Sequence, residues 1–144
     1  MKRKKSSTRA RPPPDDACPR CGRTMRETVG PHFVPVNGEE VRVSSPHLLC
    51  VCGEKVFRSG EVDAAHQKAF SSYRRRHSLL EADEIRALRE RLDMTQRELA
   101  RLLRLGENSI SRWESGRNVQ SASMDVLLRH LTVPSAVEFL RERT

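Results

Sequence analysis

Residues 94–117, MTQRELARLLRLGENSISRWESGR, decide the fold of the C-terminal half of the chain. Thr95 and Glu98 have the spacing of a capping box, in which each side chain accepts a hydrogen bond from the backbone N–H of the other residue. Leucines at helical spacing follow and predict a first helix. A glycine then permits a tight turn, and a second short helix is expected to begin near residues 107–108 and to stop at Gly116.

The second helix of this stretch has one apolar face and one polar face. Ile110 and Trp113 are expected to face inward, whereas Asn108 and Arg112 face outward together. Two helices joined by such a turn form a helix-turn-helix, whose second helix enters the DNA major groove. Asn can pair with the edge of adenine and Arg with that of guanine. A helical hairpin with a solvated outer face is the alternative, but the combined features favour base reading by Asn108 and Arg112.

The net charge of +8 does not by itself indicate DNA binding. Residues 1–14 carry six basic residues and no acid, whereas residues 81–133 carry nine of each sign. The prediction therefore depends on the geometry of the motif. Gln96, in the first turn of the first helix, and Arg117, just beyond the second helix, are the candidate phosphate contacts.

The N-terminal tail, assigned to residues 1–16, is rich in Lys, Arg and Ser and contains three consecutive prolines. We expect it to be disordered, either as a basic arm that contacts DNA phosphates or as a solubilising tail. It is not followed by the apolar core of a secretory signal, and no apolar run approaches the ~20 residues that span a bilayer. We therefore expect a cytoplasmic protein that does not bind membranes.

Four cysteines form two pairs in the N-terminal half. Cys18 and Cys21 are separated by two residues, and Cys50 and Cys52 by one, and a glycine follows each pair. Such turns aim thiolates at one ion, so the sequence predicts one structural Zn²⁺ per chain with four cysteine ligands. Because one intervening residue is fewer than usual, His47 is an alternative ligand, and free or redox-active thiols are a further alternative.

The remaining patterns complete an α+β fold. Residues 34–43 alternate around Asn37-Gly38 and predict a β-hairpin, and His32 is expected to be a loop residue. Ser59 is expected to cap a helix over residues 61–77, whose terminal Arg74-Arg75-Arg76 either complements the helix dipole or contacts phosphates as a hinge. Further helices are predicted over residues 81–92, from Ser121 or Ser123 to His130, and from Pro134.

The predicted architecture is a small β-rich zinc-knuckle domain followed by an all-α, five-helix domain of the helix-turn-helix type. The predicted boundaries are residues 17–58 for the zinc-binding domain, 59–80 for a connecting helix and 81–144 for the domain that binds DNA and dimerises. Open metal-site motifs such as His-Glu-x-x-His do not occur in the sequence, so we expect no enzymatic activity.

The cysteine motifs and the segment Asn108–Gly116, in this order, resemble the MqsA/YgiT-type antitoxin family of bacterial toxin–antitoxin systems. The resemblance covers residues 17–140 and implies a zinc module joined to an XRE-like helix-turn-helix. It implies that the zinc module binds a toxin, commonly a small ribonuclease. It also implies a homodimer that represses the promoter of its own operon. A dimer should read a palindromic operator, and we expect a bacterial, nucleoid-associated protein. A solitary regulator with a structural zinc module is the alternative.

Overall fold

The computed structural model describes residues 15–144, so the predictions for residues 1–14 of the N-terminal tail lie outside the described residues. The predicted α+β fold is confirmed. A three-stranded antiparallel sheet is followed by six helices: β1 (Arg26–Val36), β2 (Glu39–Leu49), β3 (Lys55–Val56), α1 (Glu61–Arg76), α2 (Ala82–Arg91), α3 (Gln96–Leu102), α4 (Ser109–Glu114), α5 (Ala122–His130) and α6 (Pro134–Arg141). No helix within residues 15–144 is long and apolar enough to cross a membrane.

The β-hairpin turns at Asn37-Gly38, as the sequence predicts. Both residues have positive φ, 47° and 82°, which is the backbone of a two-residue turn that matches the twist of the strands. Each strand has 11 residues, so the hairpin is longer than the predicted residues 34–43. The prediction stopped early because serines and a proline follow Val43, although the register continues unbroken to the Arg26–Leu49 pair.

Three prolines lie within β1 and β2, and each has its backbone nitrogen pointing away from the other strand of the hairpin. Counting from Val36 and Glu39, which close the turn, alternate residues of β1 direct their backbone groups toward β2. Pro31 and Pro35 occupy the other positions, whose backbone nitrogens point away from β2. Pro46 pairs with Val29, and its nitrogen points away from β1. Each proline therefore removes an N–H from a sheet edge rather than from the ladder between β1 and β2.

Helix α1 packs against one face of the hairpin. Ala65 and Ala69 are fully buried, and Ala69 belongs to an apolar cluster with three valines of the hairpin, Val34, Val36 and Val41. The predicted cap was wrong by one residue: the N-cap is Gly60, with φ of 85°, and no side chain caps this end. His32, expected in a loop, lies in β1, where its ring meets the Phe57 ring edge-on at 4.9 Å.

Helices α2–α6 form a second, all-α domain around their own core. The core contains buried leucines, Ile85, Ile110 and Trp113. Capping boxes begin α2 and α3, the second of them formed by Thr95 and Glu98 as predicted. Ser121 rather than Ser123 caps α5. The predicted five-helix domain is therefore confirmed.

Candidate metal centre and DNA interface

The four cysteines lie together at the end of the sheet remote from the Asn37-Gly38 turn. Their sulfur atoms are all within 4.8 Å of one another. Cys18 Sγ lies 3.7 Å from Cys52 Sγ, and Cys21 Sγ lies 3.4 Å from Cys50 Sγ. In a tetrahedral site with metal–sulfur bonds of about 2.3 Å, the sulfur atoms are about 3.8 Å apart. The cluster can therefore hold a metal ion with four thiolate ligands.

The two cysteine turns differ in length but reach the same point. In the first turn, the backbone carbonyl oxygen of Cys18 accepts a hydrogen bond from the N–H of Gly22, four residues later. In the second turn, the carbonyl oxygen of Cys50 accepts one from the N–H of Gly53, three residues later. Gly22 and Gly53 both have positive φ, which glycine adopts at little cost. The unusual spacing of the second pair is thus accommodated by a turn that is one residue tighter.

The surroundings of the sulfur atoms shift the pKa values of Cys18 and Cys50 in opposite directions. Burial opposes ionisation of Cys18, but backbone N–H groups of Cys21 and Arg20 donate to its sulfur, and the pKa is lowered to about 7. At Cys50 the N–H of Cys52 favours the thiolate, but burial and the neighbouring thiols outweigh it and raise the pKa to about 12. Metal binding must therefore displace protons from the cluster, because the ligands are thiolates.

His47, the alternative ligand, does not belong to this cluster. It lies in β2 with 5% of its surface exposed, and its Nδ1 is 3.0 Å from the Ser45 carbonyl oxygen. Its ring packs against Phe57 at 5.7 Å between centroids. Within the described residues, the cysteines alone form a group that can hold a metal ion.

The helix-turn-helix presents the predicted faces. Ile110 and Trp113 of α4, the second helix of the motif, are buried, while Asn108 and Arg112 are exposed. The helix ends at Glu114, and Gly116 follows with φ of 72°. Asn108 is the N-cap residue, but its side chain makes no capping hydrogen bond, so its amide is not used to close the helix end.

A buried carboxylate at the end of α4 joins that helix to both α2 and α3. Glu114 accepts hydrogen bonds from Arg89 at 2.6 and 3.1 Å and from Gln96 Nε2 at 2.8 Å. Its side chain is 1% exposed. Burial would raise the pKa of Glu114, but the hydrogen bonds from Arg89 and Gln96 outweigh it and lower the pKa. Hydrogen bonding to Glu114 raises the pKa of Arg89.

The four residues predicted to contact DNA do not all line the same groove. Gln96 and Asn108 line one open groove between α3 and α4. Arg117 is exposed but lines a different groove, beside α1. Arg112 lies on the exposed face of α4 and lines neither groove. Asn108, Arg112 and Arg117 are therefore exposed, whereas Gln96 is half-buried and its amide nitrogen is bound to Glu114.

The three arginines lie in the last turn of α1, as predicted, but their surroundings differ. Arg74 is 2% exposed and donates to the carbonyl oxygens of Trp113 and Asn118 at 3.1 and 2.8 Å. Arg76 instead pairs with Glu39 of the hairpin at 2.8 Å. Arg74 therefore neither lies in solvent at the end of its own helix nor contacts phosphates, because it is buried against the end of another helix.

Sequence reasoning missed both buried networks. Glu114 follows the inward-facing Trp113, and Arg89 follows the inward-facing Leu88, so each charge stands next to a core position. Two residues of opposite charge, each next to a core residue on a different helix of the same domain, could have indicated a buried ion pair. For Arg74 the sequence offered no equivalent signal, since its partners are backbone carbonyl groups.

Comparison with known families agrees with this geometry. A helix-turn-helix family model matches residues 85–134, which span α3, α4 and the helices on either side. The match indicates a DNA-binding regulator of the XRE type, a class that is typically non-enzymatic. A search of curated proteins found no match.

Proposed function

We propose that this protein is a sequence-specific transcriptional repressor that acts as the antitoxin of a toxin–antitoxin pair in the bacterial cytoplasm. The observation that carries the DNA-binding part is the helix-turn-helix itself, which buries Ile110 and Trp113 and leaves Asn108 and Arg112 exposed. The antitoxin part comes from the order of the two halves, a four-cysteine module followed by this domain, as in the antitoxin family that the sequence resembles.

In this proposal the exposed side chains of the motif divide the contacts with DNA. Asn108 and Arg112 read base edges in the major groove, and Gln96 and Arg117 contact phosphates. The Oε1 atom of Gln96 remains for water or DNA because Nε2 is bound to Glu114. The chain acts as a homodimer on a palindromic operator, with half-sites about one helical turn apart or a multiple of it.

Support for a dimer comes from the C-terminal helices. Val126 and Val133 are 57% and 48% exposed, and Phe139 is 53% exposed with the Arg143 guanidinium 3.9 Å above its ring. In this proposal the dimer interface buries these three side chains together, since a contiguous apolar patch on a surface typically marks a protein–protein contact.

The cysteine cluster is proposed to hold one structural Zn²⁺ through Cys18, Cys21, Cys50 and Cys52. A Cys₄ tetrahedron leaves no open coordination position for substrate or water, so the ion would stabilise the fold rather than catalyse. The small apolar cluster around it, Met25, Leu48 and the two buried cysteines, offers little other stabilisation to these turns.

The DNA-binding part is tested by selecting duplexes from a random pool with the purified protein. Arg112→Ala should lose discrimination at one base of the selected sequence, by about 1–3 kcal/mol. Arg117→Ala should instead weaken binding to all sequences and reduce the salt dependence by about one phosphate contact. Failure of the wild-type protein to enrich any sequence would overturn the proposal.

The antitoxin part needs a separate experiment. Proteins encoded beside this gene are expressed alone and with this chain, and bacterial growth is measured. A neighbour that arrests growth alone and forms a stoichiometric complex with this chain that restores growth supports the antitoxin function. A protein that represses its promoter but neutralises no neighbour is the solitary regulator.

A further inference from the structure

The buried arginine of α1 closes the end of the recognition helix α4. One nitrogen of the Arg74 guanidinium, Nη2, donates to both the Trp113 and the Asn118 carbonyl oxygens. The last carbonyl groups of a helix lack partners within it, and a cation is favourable there. Arg112 does not contact Arg74 through these bonds, but its carbonyl oxygen accepts hydrogen bonds from the N–H groups of Arg117 and Asn118, in the loop that Arg74 binds. Arg74 thus holds the loop that is bonded to Arg112.

The position of Arg74 is set by the sheet. We call residues 15–76 the sheet unit, which comprises the cysteine turns, the three strands and α1. Val119, from the loop after α4, is buried in the apolar cluster that joins α1 to the hairpin. At the hairpin tip, Asn37 Nδ2 donates to the Gln120 carbonyl oxygen at 3.2 Å. The sheet unit therefore holds residues 113–120 by one apolar contact, at Val119, and by three hydrogen bonds, two from Arg74 and one from Asn37.

The Arg74 contact tolerates little displacement. Burial lowers the pKa of Arg74, which Glu81 partly offsets, yet a guanidinium remains protonated in proteins. Its Nε has no hydrogen-bond partner in the described structure, so the carbonyl contacts are what compensates the burial of the charge. A buried charge that loses its partners is costly, so a shift of the sheet unit and a shift of the loop after α4 are expected to occur together.

We propose that Arg74 is a positioning residue for DNA recognition, through which the sheet unit sets the orientation of Arg112 and Asn108 on α4. This inference rests on the proposed DNA-binding function and adds a means of regulation to it. A partner that binds the sheet unit and displaces it from residues 113–120 would weaken specific DNA binding. By thermodynamic reciprocity, operator DNA would weaken the binding of that partner equally.

The experiment compares Arg74→Met with the matched control Arg76→Met in the full-length protein. Arg76 lies on the same helix but pairs only with Glu39, at the surface. The measured quantity is the ratio of affinities for a duplex selected by the wild-type protein and for a mixed-sequence duplex of equal length. Arg74→Met should lower this ratio about tenfold, within the range usual for coupled sites, whereas Arg76→Met should change it less than about twofold.

Two further readouts separate positioning from general destabilisation. Arg74→Lys, which can still donate to a carbonyl group, should restore part of the ratio. Hydrogen exchange at the Arg117 and Asn118 amides should be faster in Arg74→Met and unchanged in Arg76→Met. An unchanged ratio in Arg74→Met, or equal losses for both duplexes, would overturn the inference.

A milder variant covers the case in which Arg74→Met does not fold. Asn37→Gly keeps the positive φ of the turn and removes the contact with Gln120, and it should lower the ratio about two- to threefold, as the loss of one neutral hydrogen bond implies. A folded Asn37→Gly with the wild-type ratio would then count against the inference. If the wild-type protein selects no duplex, the proposed function fails; if it does and the variants keep its selectivity, only this inference fails.

Discussion

The buried carboxylate of Glu114 gives the sharpest prediction about stability. Glu114→Gln keeps the size of the side chain and removes its charge, while Arg89 stays in place with 14% of its side chain exposed. Removing one partner of a buried ion pair typically costs about 3–5 kcal/mol. Arg89 also donates to the Met94 carbonyl oxygen at 2.9 Å, and glutamine can still accept one hydrogen bond. We therefore expect a loss of about 2–3 kcal/mol in the free energy of unfolding, no more than the lower end of that range.

The pH dependence provides an independent test of the same interaction. Because the pKa of Glu114 is lower in the folded protein, its carboxylate stabilises the folded state fully at neutral pH. That contribution is lost as the pH falls below the ordinary carboxyl range, about 4, toward the lowered pKa. The Gln variant has no such group to titrate, so the difference between the two proteins should shrink with acidification.

The assay is urea unfolding followed by circular dichroism, at pH 7 and at several lower values. Glu107→Gln is the control, because Glu107 is an exposed acid in the turn before the same helix, and it should stay within about 0.5 kcal/mol of the wild type. The reasoning would be refuted by a Glu114→Gln protein as stable as this control, or by a stability difference that does not change between neutral and acidic pH.

Three other changes test separate parts of the structure. Thr95→Ala removes the hydroxyl that accepts from Glu98 N–H at 3.2 Å, and urea unfolding should show a loss of about 1 kcal/mol. Gly38→Ala forces a side chain onto φ of 82° and should cost about 1–2 kcal/mol in the same assay. Cys52→Ser should abolish stoichiometric Zn²⁺ binding in a chelator-competition titration, and the wild-type affinity should fall with falling pH because Cys50, with its pKa raised to about 12, must release a proton.

The first two of these predictions have matched control variants, and the third is checked on the wild-type protein. Thr95→Ser keeps the capping oxygen and should retain most of the stability. Gly106→Ala should be nearly neutral, because Gly106 does not have positive φ and an added Cβ would lie 3.7 Å from Ser109 Oγ, an ordinary contact. A wild-type protein that bound two equivalents of Zn²⁺, or bound it equally well at acidic pH, would contradict the four-cysteine site.

The features that could be predicted from the sequence were those that neighbouring residues determine. The capping box at Thr95 and the turn at Asn37-Gly38 depend on side-chain and backbone chemistry within four residues, and both are present in the structure. The convergence of the cysteines was predictable because the hairpin between the pairs brings its ends together.

The features that could not be predicted depend on partners far along the chain. Arg74 binds carbonyl oxygens 39 and 44 residues away. Because every residue has a backbone carbonyl group, the sequence does not indicate which of them will accept a hydrogen bond. The length of the hairpin was underestimated because Pro46 is unfavourable in a strand unless its nitrogen lies at an edge. Only the pairing register of β1 and β2 shows that the Pro46 nitrogen lies at an edge.

The placement of the prolines also restricts how another protein can approach the N-terminal half. Open strand edges invite a foreign strand to extend the sheet, which leads to β-augmentation or to aggregation. Pro31 and Pro35 withhold donors along the outer edge of β1, so a continuous intermolecular ladder cannot form there. A partner that docks on the β1 side of this half is therefore expected to contact side chains on the faces of the hairpin, such as Phe33, which is 53% exposed. Its specificity would then come from the shape of those faces rather than from backbone pairing.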